Sequence, residues 1–97
     1  MGNGKKLERF SRTWWVLASA DGCLLAKGHP DPTMLQYHLD AMTDHVPALV
    51  TAPNKFTLRD VRRLWNDKVR ADGRGHAYYT RSLVHERKVM ITIEEAP

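Results

Sequence analysis

The sequence predicts a single small α+β domain, with an antiparallel sheet of four or five strands from two hairpins and two packed helices. Three observations predict it. Extended apolar segments flank Asp21-Gly22, a strong hairpin-turn signal because both residues tolerate positive φ. The segment 89–93 is rich in β-branched residues, and its aliphatic residues alternate with Met90 and Thr92, as expected for a strand. Two intervening segments repeat apolar residues every three or four positions, which is typical of helices. The predicted order is β-β-α-(β)-α-β-β.

The length and composition are those of one globular domain. The chain has 97 residues, of which 42% are hydrophobic and 27% charged, enough for one modest core. We expect a flexible N-terminus over residues 1–11 and a folded domain over 12–97. No uncharged apolar run approaches the roughly 18 to 20 residues of a membrane span. A single cysteine, Cys23, excludes an internal disulfide and fits a reducing cytoplasm.

The first predicted hairpin spans 13–27, with strands on either side of Asp21-Gly22. Trp15 and Leu17 share one face of its first strand, whereas Trp14 and Val16 share the other. Both faces are therefore apolar. Either helices cover both sides of the sheet, or a second copy of the chain or another partner closes one face.

A first helix is predicted over 32–44. Asp31-Pro32 is a typical helix start, with an N-cap followed by proline at the first helical position. Met34, Leu35, His38, Leu39 and Met42 define an apolar side, and Pro47 disfavours helix at the residue before it. Residues 48–51 are either a short third strand or a plain connector.

The clearest helix is predicted over 57–71. Thr57 is its expected N-cap, and Asp60 places negative charge in the first turn. Gly73 suits the left-handed residue that ends a helix. One apolar side is formed by Leu58, Val61, Leu64, Trp65 and Val69.

A closing hairpin is predicted over 77–94. Residues 76–84 and 88–94 both have extended character, and His85-Glu86-Arg87 is the expected turn between them.

The sequence argues against most enzymes and predicts no cofactor and no metal. His38 and His45 are seven residues apart, whereas metal-binding helices use pairs four apart with a third ligand. No cationic neighbour adjoins Cys23 to activate it as a nucleophile. Glycine-rich dinucleotide loops, nucleophile elbows and kinase signatures are absent from the sequence.

Positive charge is concentrated in the second half. Residues 1–52 carry five Lys/Arg and five Asp/Glu, whereas 53–97 carry ten against six, so the whole excess of +4 lies there. Such a bias favours acidic partners, although a plain solvated face explains it equally well. The predicted contact residues lie on the second helix, in the loop after it and in the closing hairpin: Lys55, Arg59, Arg62, Arg63, Arg70, Arg74, Arg81, Arg87 and Lys88.

Two binding functions compete. In the first, the partner is an acidic protein surface, an interpretation favoured by the acids among the arginines; a homodimer through the 13–27 hairpin is an additional option, because both faces of its first strand are apolar. In the second, the partner is DNA or RNA, because two helices followed by a hairpin resemble a winged helix. Trp14 and Tyr78 are the candidate aromatic contacts, since exposed aromatic residues anchor interfaces or stack on bases.

Overall fold

The computed structural model describes residues 4–27, 37–40, 49–72 and 81–97, and these form an antiparallel sheet with a helical segment over 55–71 and two further helical residues at 81–82. A 3₁₀ turn over Lys55–Leu58 continues directly into the α-helix. No helix among the described residues is long and apolar enough to cross a membrane. The elements are β1 (Phe10–Ser19), β2 (Leu24–Lys27), β3 (Tyr37–Asp40), β4 (Thr51–Ala52), α1 (Arg59–Ala71) and β5 (Val84–Ile93).

The long strand β1 organises the sheet. One of its edges pairs with β5 over its whole length, from Phe10 opposite Ile93 to Ser19 opposite Val84. Its other edge pairs with β2 at one end and with β4 near its middle. The far edge of β2 pairs with β3. The α+β class and the antiparallel sheet are thereby confirmed.

The first hairpin is confirmed. The Ser19 N–H donates to the Cys23 carbonyl at 2.9 Å, and the Gly22 N–H donates to the Ser19 carbonyl at 3.0 Å. Gly22 has φ +87°, the positive value that the Asp21-Gly22 signal predicted. The first strand starts at Phe10, three residues earlier than predicted, because it continues along β5.

The predicted helix over 32–44 is wrong at residues 37–40, which form β3. Tyr37 and Leu39 alternate along this strand and pack against the core. Spacings of three and four suggested a helix, but the open edge of β2 gives these residues hydrogen-bonding partners. The rest of the predicted helix lies outside the described residues. Thr51–Ala52 forms a strand, which confirms the strand alternative for residues 48–51. The observed strand ends one residue later than predicted.

The closing hairpin is also wrong. Residues 84–93 form one continuous strand, and the predicted turn residues His85, Glu86 and Arg87 are paired in register with β1. The segment 81–82, predicted to be extended, is helical, and 73–80 lie outside the described residues. With no described helix before the 55–71 segment and no closing hairpin among the described residues, the order of a winged helix is not found in them.

The second predicted helix is confirmed, with a different start. Asn54, not Thr57, is the N-cap: its Oδ1 accepts from the Phe56 N–H at 2.8 Å and from the Thr57 N–H at 3.3 Å. The 3₁₀ turn therefore begins at Lys55, and α1 ends at Ala71. Gly73, the predicted terminator, lies outside the described residues.

The core lies between the sheet and the helix. Its centre consists of Leu17, Leu25 and Val84, with Trp65 packed against it as predicted. On the opposite face of β1, Val16 is also buried, with 3% of its surface exposed. Both faces of this half of β1 are therefore covered within a single chain.

Candidate functional site

The helix is fixed to the start of β5 by side chains that bond to the backbone of Val84, its first residue, and of Ser82, two residues before it. Asn66 Nδ2 donates to the Val84 carbonyl at 3.0 Å, and the Val84 N–H donates to Asn66 Oδ1 at 2.9 Å. Trp65 Nε1 donates to the Ser82 carbonyl at 2.7 Å. These bonds place one flank of the helix beside the outer edge of β5.

The arginines lie on that flank. At about 100° per residue, Arg59, Arg63 and Arg70 fall within about 40° of one another around the helix axis. Arg62 lies about 60° from Arg59, on the side nearer the sheet, and is half-buried. Arg59, Arg63 and Arg70 therefore share one flank of the helix. Arg62 lies closer to the sheet and extends towards β5.

Arg62 is paired with the strand. Its Nη1 donates to Glu86 Oε2 at 3.2 Å, and the side chains are 34% and 15% exposed, respectively. Glu86, the more buried partner, neutralises the charge of Arg62. The cations that lie further from β5 keep their positive charge. Among the described residues, Arg59 and Lys55 make no ion pair.

Two lysines flank Trp15 on the same face of the sheet. Lys55 Nζ lies 5.8 Å from the Trp15 ring centroid and 5.6 Å from the Phe56 ring centroid. Lys88 is directly opposite Trp15 in the β1–β5 register, so the two side chains project from the same face. Phe56 is 69% exposed, which leaves an apolar ring beside the Lys55 ammonium.

These residues surround an open pocket of about 230 Å³ lined by Lys55, Phe56, Arg59, Arg62 and Glu86. We call its lining residues, together with Trp15 and Lys88, the basic surface. It combines four cations with a single carboxylate and two aromatic rings. Chemically, it can bind carboxylates or phosphates by charge and hydrogen bonding, with an adjoining apolar contact.

The other predicted contact residues are dispersed. Arg63 is exposed on the solvent side of the helix flank. Arg70 Nη1 lies 3.5 Å from Asp67 Oδ1. Arg87 is opposite Val16 and therefore projects from the other face of the sheet. Arg81 is exposed before β5. Two predicted residues, Arg74 and Tyr78, lie outside the described residues.

Trp14 is half-buried on the sheet face opposite Trp15. The aromatic residues next to the cations are instead Trp15 and Phe56, neither of which the sequence identified as a contact. Phe56 is the second residue of the 3₁₀ turn and lies outside the apolar stripe of the helical segment, so its aromatic side chain is left in solvent. Glu86 is not among the predicted site residues, because the sequence indicates a turn at that position.

Among the described residues, no group of three or more His, Cys, Asp and Glu side chains is arranged to hold a metal ion. Cys23 is a free, half-buried thiol next to the first turn. Its backbone N–H donates to Ser19 Oγ at 3.2 Å, a structural contact within the hairpin.

Comparison with protein-family models, with curated proteins and with solved structures found no match to this chain.

Proposed function

We propose that this chain is a small non-enzymatic binding protein that docks through the basic surface on an acidic face of another protein. The observation that carries the proposal is that Lys55, Arg59 and Arg62 line one pocket with Glu86, while Lys88, two residues from Glu86 along β5, projects from the same face of the sheet. Cations held together on a helix flank and a strand attract carboxylates more strongly than the same cations spread over a surface.

A protein partner is favoured over nucleic acid by the apolar component of the surface. Phe56 is largely exposed beside Lys55, and an exposed aromatic ring next to cations is typical of protein interfaces. Nucleic acid remains the competing hypothesis, and the experiment below separates the two.

Homodimerisation through the 13–27 hairpin has less support than docking on another protein. Leu17, Leu25 and Ala26 of this hairpin are at most 1% exposed within one chain, so they have no apolar surface left to bury. The large exposed apolar residues of the described sheet lie elsewhere, at Phe10, Met90 and Ile93, where β1 and β5 pair far from the hairpin turn.

The test is fluorescence anisotropy with labelled poly-L-glutamate and, separately, a labelled 20-base-pair DNA duplex, each titrated at about 50 mM and 200 mM salt. We expect the wild-type chain to bind poly-L-glutamate, and the double variant Lys55→Glu/Arg59→Glu to bind at least about tenfold more weakly, because two cations become anions. The matched control is Lys5→Glu/Lys27→Glu, which makes the same net change at two exposed lysines elsewhere in the chain.

Equal losses in the double variant and in its control would show that net charge alone drives binding, and would overturn the assignment of the site. Binding to the duplex but not to poly-L-glutamate, with affinity falling steeply with salt, would favour the nucleic-acid hypothesis over the protein one. Light scattering on the same samples measures whether the chain forms dimers.

A further inference from the structure

The outer edge of β5 carries a row of backbone groups that point away from β1. Residues along a strand point their N–H and C=O groups alternately to the two sides. Both backbone groups of Val84 bond to Asn66 on the outer side. The same outward direction therefore applies to Glu86, Lys88, Met90 and Thr92.

Beyond Val84 this edge is open among the described residues. β5 pairs with β1 alone, and no described residue bonds the outward backbone groups from Glu86 to Thr92. Lys88 and Thr92 are exposed, and Met90 has 66% of its surface exposed. An open strand edge of this length, about 20 Å, is a template for pairing with another extended chain.

We propose that this edge accepts an extended acidic segment of the partner protein as an additional antiparallel strand of the sheet. The inference rests on the proposed function and specifies how the partner is held: backbone hydrogen bonds at the edge provide a register, and the basic surface provides charge complementarity. The edge and the basic surface meet at Glu86 and Lys88, which belong to both.

The two faces of β5 specify the composition of the incoming strand. Lys88 projects on the face of the basic surface, near Lys55, so acidic side chains are favoured there. On the opposite face Val89, Ile91 and Ile93 occupy alternate positions beyond Arg87, and Ile93 is 56% exposed. A bound strand that alternates acidic and apolar residues satisfies both faces at once.

A second copy of β5 fits this edge poorly. Antiparallel self-pairing over 86–92 would be centred on Val89, which puts Lys88 opposite Met90 and Glu86 opposite Thr92. In this register no pair of opposite charges lies across the interface. Each copy would also place its Arg87 and Lys88 close to those of the other copy. The charge of the edge therefore favours an acidic partner over a homodimer.

The probe is a labelled nine-residue peptide of alternating Glu and Val with blocked ends. Its binding is measured by anisotropy, and its effect on the chain by residue-resolved amide hydrogen exchange. We expect the outward amides of Lys88, Met90 and Thr92 to exchange at least about tenfold more slowly once peptide is bound. The inward amides of Val89 and Ile91, already bonded to β1, are the internal controls and should change little.

Two N-methylated peptides provide the sharper test, since each blocks one edge of the peptide strand. Methylation at every Glu removes the donors that face β5 in antiparallel pairing, and we expect at least tenfold weaker binding. Methylation at every Val leaves those donors intact, and binding should be nearly unchanged. A block peptide, five Glu followed by four Val, has almost the same composition without the alternation and should bind more weakly than the alternating one.

Equal effects of the two methylations, binding without slower exchange at the three outward amides, or no binding of the alternating peptide would each overturn strand addition. These failures are distinct from failure of the proposed function. If poly-L-glutamate still binds and still requires Lys55 and Arg59, the basic surface stands and only the mode of attachment is wrong. If poly-L-glutamate does not bind either, both proposals fail.

Discussion

Asn66 occupies the position of a neighbouring strand at Val84: its side-chain amide accepts from the Val84 N–H and donates to the Val84 carbonyl, at 2.9 and 3.0 Å. Asn66 is only 6% exposed, although it lies on a surface helix. The primary amide is the side chain suited to this role, since it presents one donor and one acceptor side by side. The contact closes the edge of β5 at its first residue and fixes the helix against the sheet.

Asn66→Ala is expected to destabilise the fold by about 2–4 kcal/mol, because it leaves a buried donor and a buried acceptor of Val84 without partners. The measurement is urea unfolding followed by circular dichroism. The matched control is Lys68→Ala, an exposed position of the same helix, which should change stability by no more than about 0.5 kcal/mol. Similar values for the two variants would contradict the edge-closing role.

Asn54→Ala is expected to cost about 1 kcal/mol through loss of the N-cap, whose Oδ1 satisfies two backbone donors of the first turn. Thr57→Ala should cost less, because the Thr57 hydroxyl only donates a 3.5 Å bond to that same oxygen. The two free energies come from urea unfolding under identical conditions. A larger loss in Thr57→Ala would restore Thr57 as the cap.

Local signals predicted the parts of the fold that local interactions decide. The turn at Asp21-Gly22 needs only two residues that tolerate positive φ, and those residues are visible in the sequence. The helix over 59–71 has an apolar stripe that no strand alternation imitates. In both cases the neighbours along the chain determine the conformation.

The two errors occur where distant pairing decides the structure. Leu39 and its neighbours have a spacing compatible with either a helix or a strand, and β2 provides the edge that selects the strand. His85, Glu86 and Arg87 resemble a polar turn, but each lies opposite a buried residue of β1 some 70 positions away in the sequence. Such long-range pairings leave little trace in a single sequence.

The candidate site was predictable in its charge and not in its geometry. The sequence indicated the helix that carries Arg59 and Arg62, but not that Lys88 would lie opposite Trp15 while Arg87 projects to the other face. That distinction depends on the strand register, and a shift of one residue would exchange the two. Because the sequence indicates a turn at Glu86, it does not predict the register in which β5 pairs with β1.

Gly22→Ala is expected to destabilise the hairpin by about 1–2 kcal/mol, since φ is +87° and a Cβ is unfavourable in that conformation. Apart from the two residues adjacent to Gly22 in the chain, no heavy atom lies within 4 Å of the added Cβ, so the cost comes from the backbone conformation and not from a clash with the surroundings. Gly22→Asn should lose less, because asparagine tolerates positive φ better. Thermal unfolding compares the two variants, and equal losses would contradict the conformational explanation.

Glu86→Gln tests the electrostatics of the basic surface. Unlike most substitutions at a binding site, it should raise the affinity for an acidic ligand. Removal of the one carboxylate beside Arg62 leaves four cations unopposed, and we expect affinity for poly-L-glutamate to rise about three- to tenfold at low salt, with a smaller gain at 200 mM. Glu94→Gln is the matched control: that carboxylate pairs with Arg9, about 27 Å further along the strand direction. The measurement is the anisotropy titration, with urea unfolding to verify that the Glu86→Gln chain remains folded. A folded Glu86→Gln chain that binds no more tightly than Glu94→Gln would show that the ligand contacts another part of the molecule, because a cation cluster at the binding site must respond to the loss of its only anion.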